Sequence, residues 1–341
     1  MNHFKKGIVC LSASWLFSTS SLHAADTLRV GYFPNITHAQ ALVGLANGTF
    51  QKALGDTPID VKTFTAGPSA VEALFANAID LAYIGPGPAI NGFVKSNGDI
   101  VVIAGACSGG ASLVVRSGFI VDGSKGNYTF HGKRIATPQI GGTQDIALRH
   151  WLQKNGLAPV EKGGDVQVLP MANADQLTLF AQNQLDAAWA PEPWATRLVV
   201  EGKGLIFIDE RDLWPNRQFA TTVIVVRKKY LQEHPDVVEK WLTAHVNVTN
   251  WIKEHPDMAR ALVNQEIKRI TTKALPDAVI AQAWDRLELT VNPLKHSLER
   301  NATDAFDLGF LGRTRPDLSG LVDLTLLNKV LASKGRPPVA P

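Results

Sequence analysis

The stretch DLAYIGPGPAI runs from Asp80 to Ile90. Its apolar run, Leu81 to Ile84, reads as a buried strand that stops at Gly85-Pro86-Gly87-Pro88. Proline suits the first turn of a helix, where its missing N–H costs nothing. Glycine lets another group come close to the backbone. The phrase therefore reads as a strand handing over to a helix at a point built for close approach. It returns as DAAWAPEPWAT, Asp186 to Thr196, and the likeness extends backwards. LFANAIDLAYIGPGPAI (Leu74 to Ile90) matches LFAQNQLDAAWAPEPWA (Leu179 to Ala195), with one extra residue in the second helix–strand turn. Two related units are what such a repeat predicts.

The chain around the first phrase alternates strand and helix. Leu28 to Tyr32, Ile59 to Phe64, Leu81 to Ile84 and Val101 to Ala106 read as strands. Helices open at Thr37 and at Ala66-Gly67-Pro68-Ser69. The pattern restarts with strands at Arg134 to Thr137, Val166 to Leu169, Asp186 to Ala190 and Leu205 to Ile208. Its helices open at Gly141-Gly142-Thr143-Gln144 and at Asp175. This alternation, with continuous apolar strands, predicts an α/β fold of two lobes, each a mostly parallel sheet flanked by helices. ASLVVR (Ala111 to Arg116) and TTVIVVR (Thr221 to Arg227) are expected to pair as neighbouring strands joining the lobes. After Lys229 the chain reads as helical to its end, with Pro235 and Pro256 near helix starts, and these helices are expected to return to the first lobe.

The beginning of the chain reads as a secretory signal over residues 1–24. Lys5 and Lys6 precede an apolar run, Gly7 to Phe17, too short to cross a bilayer, and Ala24 offers a cleavage site. Cys10 lacks the small residues a lipoprotein signal carries. The remaining expectation is a first lobe from 25–107 and 224–341, and a second from 108–223, with crossings near 107–112 and 219–224. Loss of Lys5 and Lys6 brings 34 basic side chains to 32 against 31 acidic ones. So balanced a chain has no basic surplus for nucleic acid or an anionic membrane. Cys107 would then be the one cysteine left, expected to be buried rather than reactive.

In an open parallel sheet, ligands bind beyond the carboxyl ends of the strands, where helix N-termini offer unpaired N–H groups and partial positive charge. Four handovers have that character: Gly67-Pro68-Ser69, Gly85-Pro86-Gly87-Pro88, Gly141-Gly142-Thr143 and Pro191-Glu192-Pro193-Trp194. Singly each reads equally well as a tight turn. Together, on two facing lobes, they predict an anion site between the lobes.

GYFPNITHAQALVGLANGTF, AGPSAVEALFANAIDLAYIG, TPQIGGTQDIALRHWL and WAPEPWATR resemble the solute-binding proteins of ABC importers in the sulfonate, taurine and nitrate family. The telling parts are GxxPxxxHA after the first strand, the GP-rich helix openings, and the spacing of the two repeated phrases. The resemblance covers the chain beyond its signal. It implies a type II periplasmic binding-protein fold with two crossing strands, a cleft that closes by hinge motion, and delivery of solute to a membrane permease driven by a cytoplasmic ATPase. It implies a monomer in the periplasm with no cofactor.

A sulfonate or sulfate ester is the expected ligand. Ser69, Ser108, Gly109, Thr143, Gln144, Asn35 and His38 are candidate donors or cleft residues, beside Gly67, Pro68, Gly85, Pro86, Gly141 and Gly142. His38 reads equally well as a helix-cap histidine. Tyr32, Phe33 and Trp194 are candidate walls for an organic tail, and Trp189 reads as core. Glu192 would hold the ammonium of an amino-sulfonate such as taurine, or instead sit on the rim or pair with Arg197. Nitrate and a thiamine-precursor pyrimidine remain alternatives. A same-fold enzyme is disfavoured: no zinc pair, Cys-x-x-Cys or Gly-x-Ser-x-Gly elbow is present, and the nine histidines are scattered. An adhesive or scaffold protein would need an apolar repeat or stripe that the sequence lacks.

Overall fold

A computed structural model describes residues 27–119 and 130–340. The expected signal, with Cys10, lies outside the described residues. In chain order the first unit runs β1 (Leu28–Tyr32), α1 (Ala39–Ala46), α2 (Thr49–Leu54), β2 (Ile59–Thr63), α3 (Gly67–Phe75), β3 (Leu81–Ile84), α4 (Pro86–Lys95) and β4 (Ile100–Gly109). The second runs β5 (Ala111–Arg116), β6 (Arg134–Thr137), α5 (Thr143–Lys154), β7 (Gln167–Pro170), α6 (Asn173–Ala181), β8 (Ala187–Pro191), α7 (Trp194–Val200) and β9 (Gly204–Asp209). The chain returns through β10 (Ala220–Arg227) and α8 (Lys228–Glu233) to α9 (Pro235–Glu254), α10 (Pro256–Thr271), α11 (Asp277–Trp284), β11 (Leu287–Leu289), α12 (Lys295–Asp307) and α13 (Thr325–Ser333).

Two sheets result, ordered β11-β4-β10-β3-β1-β2 and β7-β6-β8-β5-β9. Each contains the same arrangement: second strand, first, third, one strand inserted from the crossing, then fourth. The inserted strand, β10 or β5, is antiparallel to both neighbours. β1, β2, β3 and β4 share one direction, as do β6, β7, β8 and β9, so the mostly parallel expectation holds. The two crossing runs do not pair with each other as expected. β5 lies between β8 and β9, and β10 between β3 and β4, so each pairs inside its own sheet. Both are β-rich and apolar on two faces, and composition does not reveal which sheet a strand enters. The C-terminal region is also not wholly helical: β11 pairs with β4 at its Cys107–Gly109 end.

The phrase that decides the fold recurs because the same position recurs. β3 and β8 are the third strands, each beside its inserted strand. Asp80, just before β3, accepts from Arg29 of β1 and Arg227 of β10, at 2.6 and 2.5 Å. Asp186, just before β8, accepts from Arg134 of β6 and Arg116 of β5, at 3.0 and 2.6 Å. Asn77 and Asn183, both left-handed at φ 54 and 59, complete the two clamps with the same pair of arginines in each lobe. Burial pushes both carboxyls up, but the arginine and backbone hydrogen bonds outweigh it and hold them below the usual carboxylate range. Each clamp therefore ties the first, third and inserted strands together at the end of the sheet away from the strands' carboxyl ends.

Both faces of the second sheet are covered. Leu113, Val115, Ile135 and Trp189 join one apolar cluster, while Val114, Ala136, Ala188 and Ala190 join the other, as a two-residue repeat requires. The C-terminal helices pack in the core of the first sheet: Phe50 of α2 stacks on Trp241 of α9 at 3.8 Å, and Tyr83 bonds His245 of α9 at 3.1 Å. Cys107 is buried, and burial pushes its thiol up. Trp189 is core, as expected, and donates to Glu210 at 2.7 Å.

Burial raises Glu210 to about 7, against hydrogen bonds from Trp189 and Trp214. Between its ordinary 4.5 and about 7, the unfolded chain has released this proton while the folded chain keeps it. Stability therefore falls as pH rises through that window. Glu210→Gln is expected to raise stability at pH 7.5 by about 1–2 kcal/mol and to lose the advantage near pH 5. Chemical denaturation of both chains at the two pH values measures it; an equal effect at both would place the carboxyl in an ordinary, ionised environment.

Candidate ligand-binding cleft

The carboxyl ends of β1, β2 and β3 face those of β6, β7 and β8, and a small cavity of about 40 Å³ lies between them. Helix N-termini converge on it. Gly67 brings α3, Gly85 brings α4, Gly142 and Thr143 bring α5, Asn173 brings α6, and His38 precedes α1. None of these five starts is capped by a side chain. Apart from Ala39 of α1, whose N–H donates to Ile36, and the prolines of α3 and α4, which have none, their first-turn N–H groups keep the partial positive charge that attracts an anion.

Side chains add uncharged polar groups. The hydroxyls of Thr143 and Thr222, which can donate, and the acceptor Oδ1 of Asn173 line the cavity region, are buried, and find no partner within the protein. A buried hydroxyl without a partner is costly, which marks these as groups awaiting a guest. Phe33 N–H donates to His38 Nδ1 at 3.3 Å, leaving Nε2 as the N–H of the neutral ring. Burial lowers His38 to about 3, so it stays neutral at physiological pH. No Lys, Arg, Asp or Glu among the described residues lines the cavity. The arrangement can neutralise a charge only by dipoles and hydrogen bonds.

The two lobes touch across this cavity. A Cβ added to Gly85 would sit 2.1 Å from Thr143 Oγ1, and one on Gly87 would meet Ile146 at 2.9 Å. Asn35 Oδ1 accepts from Trp194 Nε1 at 3.0 Å, and Ser69 donates to Gln139 at 3.3 Å. Gly85 and Gly87 thus admit the facing lobe, while Pro86 and Pro88 start the helix. That is the chemical sense of the Gly-Pro-Gly-Pro run.

Of the expected site residues, Phe33, Asn35, His38, Gly67, Gly85, Gly142, Thr143 and Gln144 line the cavity. Pro68 and Gly141 line a neighbouring one. Several others are placed differently. Tyr32 points into the core of the first lobe, 1% exposed. Ser69 is occupied by Gln139, and Pro86 is buried in the first turn of α4. Ser108 and Gly109 lie where β4 meets β10 and β11, with Gly109 O accepting from Thr221. Trp194 does not wall the cavity: its indole reaches Asn35, and Arg197 stacks on it at 4.6 Å.

Glu192 departs from all its expected roles. It is fully buried, accepts from the N–H and hydroxyl of Thr196 at 3.0 and 2.9 Å, and lies 3.4 Å from Arg286. Arg197 pairs with Glu201 instead, one helical turn on. Burial raises Glu192 to about 6 against the Thr196 hydrogen bonds. Residues not expected at the cavity are Thr37, Thr65, Pro138, Asn173, Thr221 and Thr222. Asn173 was within reach of the repeat, since α6 follows β7 as α3 follows β2; placing the start of α6 at Asp175 hid it.

A family model, described as the NMT1-like family, matches residues 23–266. The chain belongs to the NMT1-like family. Among its relatives is a protein of Brucella abortus described as a binding protein, 28% identical over 259 residues, or 75% of this chain and 74% of the relative. The taurine-binding periplasmic protein of Escherichia coli is 27% identical over 222 residues, 64% of each chain. Solved structures share the fold. The alkanesulfonate-binding protein SsuA of Xanthomonas axonopodis pv. citri, bound to MOPS, has a TM-score of 0.69 at 21% identity, covering 87% of this chain and 98% of its own. The nitrate-binding protein NrtA of Synechocystis has a TM-score of 0.73 at 16% identity, covering 91% and 89%. This NMT1-like chain therefore has the periplasmic binding-protein fold that the family resemblance implied, with the two lobes that its repeated phrase predicted.

Proposed function

We propose that this NMT1-like protein is the periplasmic solute-binding component of an ABC importer, and that its solute is a small organosulfur oxyanion, an alkyl sulfonate or sulfate ester. The observation that carries the reading is the cavity of five uncapped helix starts and two unpartnered threonine hydroxyls, with no formal charge. A fully ionised tetrahedral head suits several weak donors arranged around it. The names of the taurine- and alkanesulfonate-binding relatives support the same chemistry. Taurine itself is disfavoured here, because an ammonium needs a carboxylate and Glu192 is engaged by Thr196 and Arg286. The protein acts as an exported monomer that hands its solute to a permease. It performs no chemistry on the solute.

Nitrate is the second reading, favoured by the size of a cavity of only about 40 Å³. Thermal shifts against methanesulfonate, ethyl sulfate, taurine, nitrate, sulfate and a thiamine-precursor pyrimidine separate these. A ligand at a thousand times its Kd is expected to stabilise by about 4 kcal/mol. Methanesulfonate and ethyl sulfate should respond more strongly than taurine. A response to nitrate alone would transfer the assignment to the second reading, and a response to the pyrimidine alone would end the oxyanion one.

A further inference from the structure

Asn35 lines the cavity from the first lobe, just after β1, and is 5% exposed. It stands at the cap position of the turn Ile36–His38, where an asparagine commonly accepts from the turn's own N–H groups, yet its side chain makes no such bond. The side chain is turned to the other lobe instead, where Oδ1 accepts from Trp194 Nε1 at 3.0 Å. Trp194 opens α7, and its ring lies against the Arg197 guanidinium at 4.6 Å. Glu201 pins that guanidinium with hydrogen bonds of 2.6 and 3.1 Å. The indole is therefore held in its direction by second-lobe residues alone, and it meets Asn35 only when the lobes come together.

We propose that Trp194 is a positioning residue for the ligand: on closure its indole N–H fixes the Asn35 amide so that Nδ2 is the end left to donate to the bound anion. The inference rests on the oxyanion reading above. An indole N–H can only donate, so the amide must give Trp194 its oxygen, and the NH2 is the end that remains. Nδ2 makes no hydrogen bond with the described residues, as a donor kept for a guest requires. The two ends of an amide have nearly the same shape, so an asparagine without such a partner could turn its oxygen to the cavity as readily. An oxygen there would repel an anion. Trp194 thus decides the sign of what Asn35 offers, and it adds no formal charge in doing so. Because the bond spans the lobes, closure and the orientation of the donor become one event. Trp194, expected as the wall of an organic tail, serves the charged head instead.

The test is calorimetry with methanesulfonate, ethyl sulfate and nitrate on the protein, on Trp194→Phe, on Asn35→Ala, on the two combined, and on Asn35→Asp. Circular dichroism checks folding, and Asn35→Ser replaces Asn35→Ala if that variant does not fold. Trp194→Phe keeps a ring for Arg197 and removes only the donor; it should lose about three- to tenfold in affinity. Asn35→Ala should lose about 10- to 150-fold, and adding Trp194→Phe to it should cost nothing further. Asn35→Asp still accepts from the indole but puts an anionic oxygen in the place of Nδ2, so it should bind no better than Asn35→Ala. On nitrogen-labelled tryptophan, the indole N–H resonance that Trp194→Phe removes should become protected from exchange when the unaltered protein is saturated, and stay unprotected in Asn35→Ala. Trp194→Phe binding within about twofold of normal, a further loss on combining the variants, or Asn35→Asp binding better than Asn35→Ala would each overturn the positioning role and leave the oxyanion site standing. No binding of any of the three anions to the unaltered protein would instead remove the oxyanion reading, and this role with it.

Discussion

Gly85→Ala is expected to leave the protein folded but unable to close on its ligand. The residue has φ −72 and ψ 159, ordinary for alanine, so the backbone of α4 tolerates the change. The obstacle is across the cleft. The new methyl would lie 2.1 Å from Thr143 Oγ1, 3.2 Å from Thr143 Cβ and 3.5 Å from the carbonyl of Thr221. Rotating the threonine away would remove a donor from the cavity, and the remaining Cβ contact is still tight. Either way the closed form is disfavoured, and affinity falls with the population of that form, by about a hundredfold or more. Small-angle scattering with saturating ligand should show compaction for the unaltered chain and none for Gly85→Ala. Thermal unfolding without ligand should stay close to normal. A variant that closes and binds normally would remove this contact from the closure mechanism.

Thr143→Val and Thr222→Val are expected to weaken binding while leaving stability without ligand nearly unchanged. In the closed arrangement each hydroxyl is buried with no partner in the protein, whereas in the open form expected without ligand it meets water. Stability without ligand should change by less than about 0.5 kcal/mol per site. In the complex the same hydroxyl donates to a charged head, and its loss should cost about 1.5–3 kcal/mol, or about 10- to 150-fold in Kd. Unfolding and calorimetry on the same preparations give both numbers. Loss of stability with affinity retained would mean that the hydroxyls serve the fold rather than the ligand.

Most of the architecture was legible because it rests on short-range rules. Apolar runs of four to six residues between Gly and Pro turns gave β1, β3, β6 and β8 within a residue of their ends. The repeat gave the two lobes. What local pattern does not encode is pairing. ASLVVR and TTVIVVR are alike in character, β-rich and apolar with a terminal arginine, yet each enters its own sheet, because the order of strands is decided by which lobe the chain has just left. The Asp80 and Asp186 clamps also escaped notice, although an aspartate before each repeated strand and an arginine opening β1 and β6 were present in the sequence. Helix openings located half of the site correctly. Side-chain direction was the limit elsewhere: Tyr32 is one residue from Phe33 on the same strand end, and successive residues there face opposite ways. Glu192 was unreadable because its partner, Arg286, lies 94 positions away and arrives only when the C-terminal region folds back.

Calorimetric titration of the protein with propane-1-sulfonate, in low salt and in about 0.5 M salt, puts the uncharged trap to its hardest trial. Dipoles and hydroxyls enclosed between two lobes should bind the sulfonate with affinities that agree within about threefold across that range, since no exposed countercharge is screened. Absence of binding would mean that the sulfonate has no site on this protein, and an affinity that collapses as salt rises would mean that lysine or arginine side chains elsewhere hold it; either result removes the closed cavity as its site.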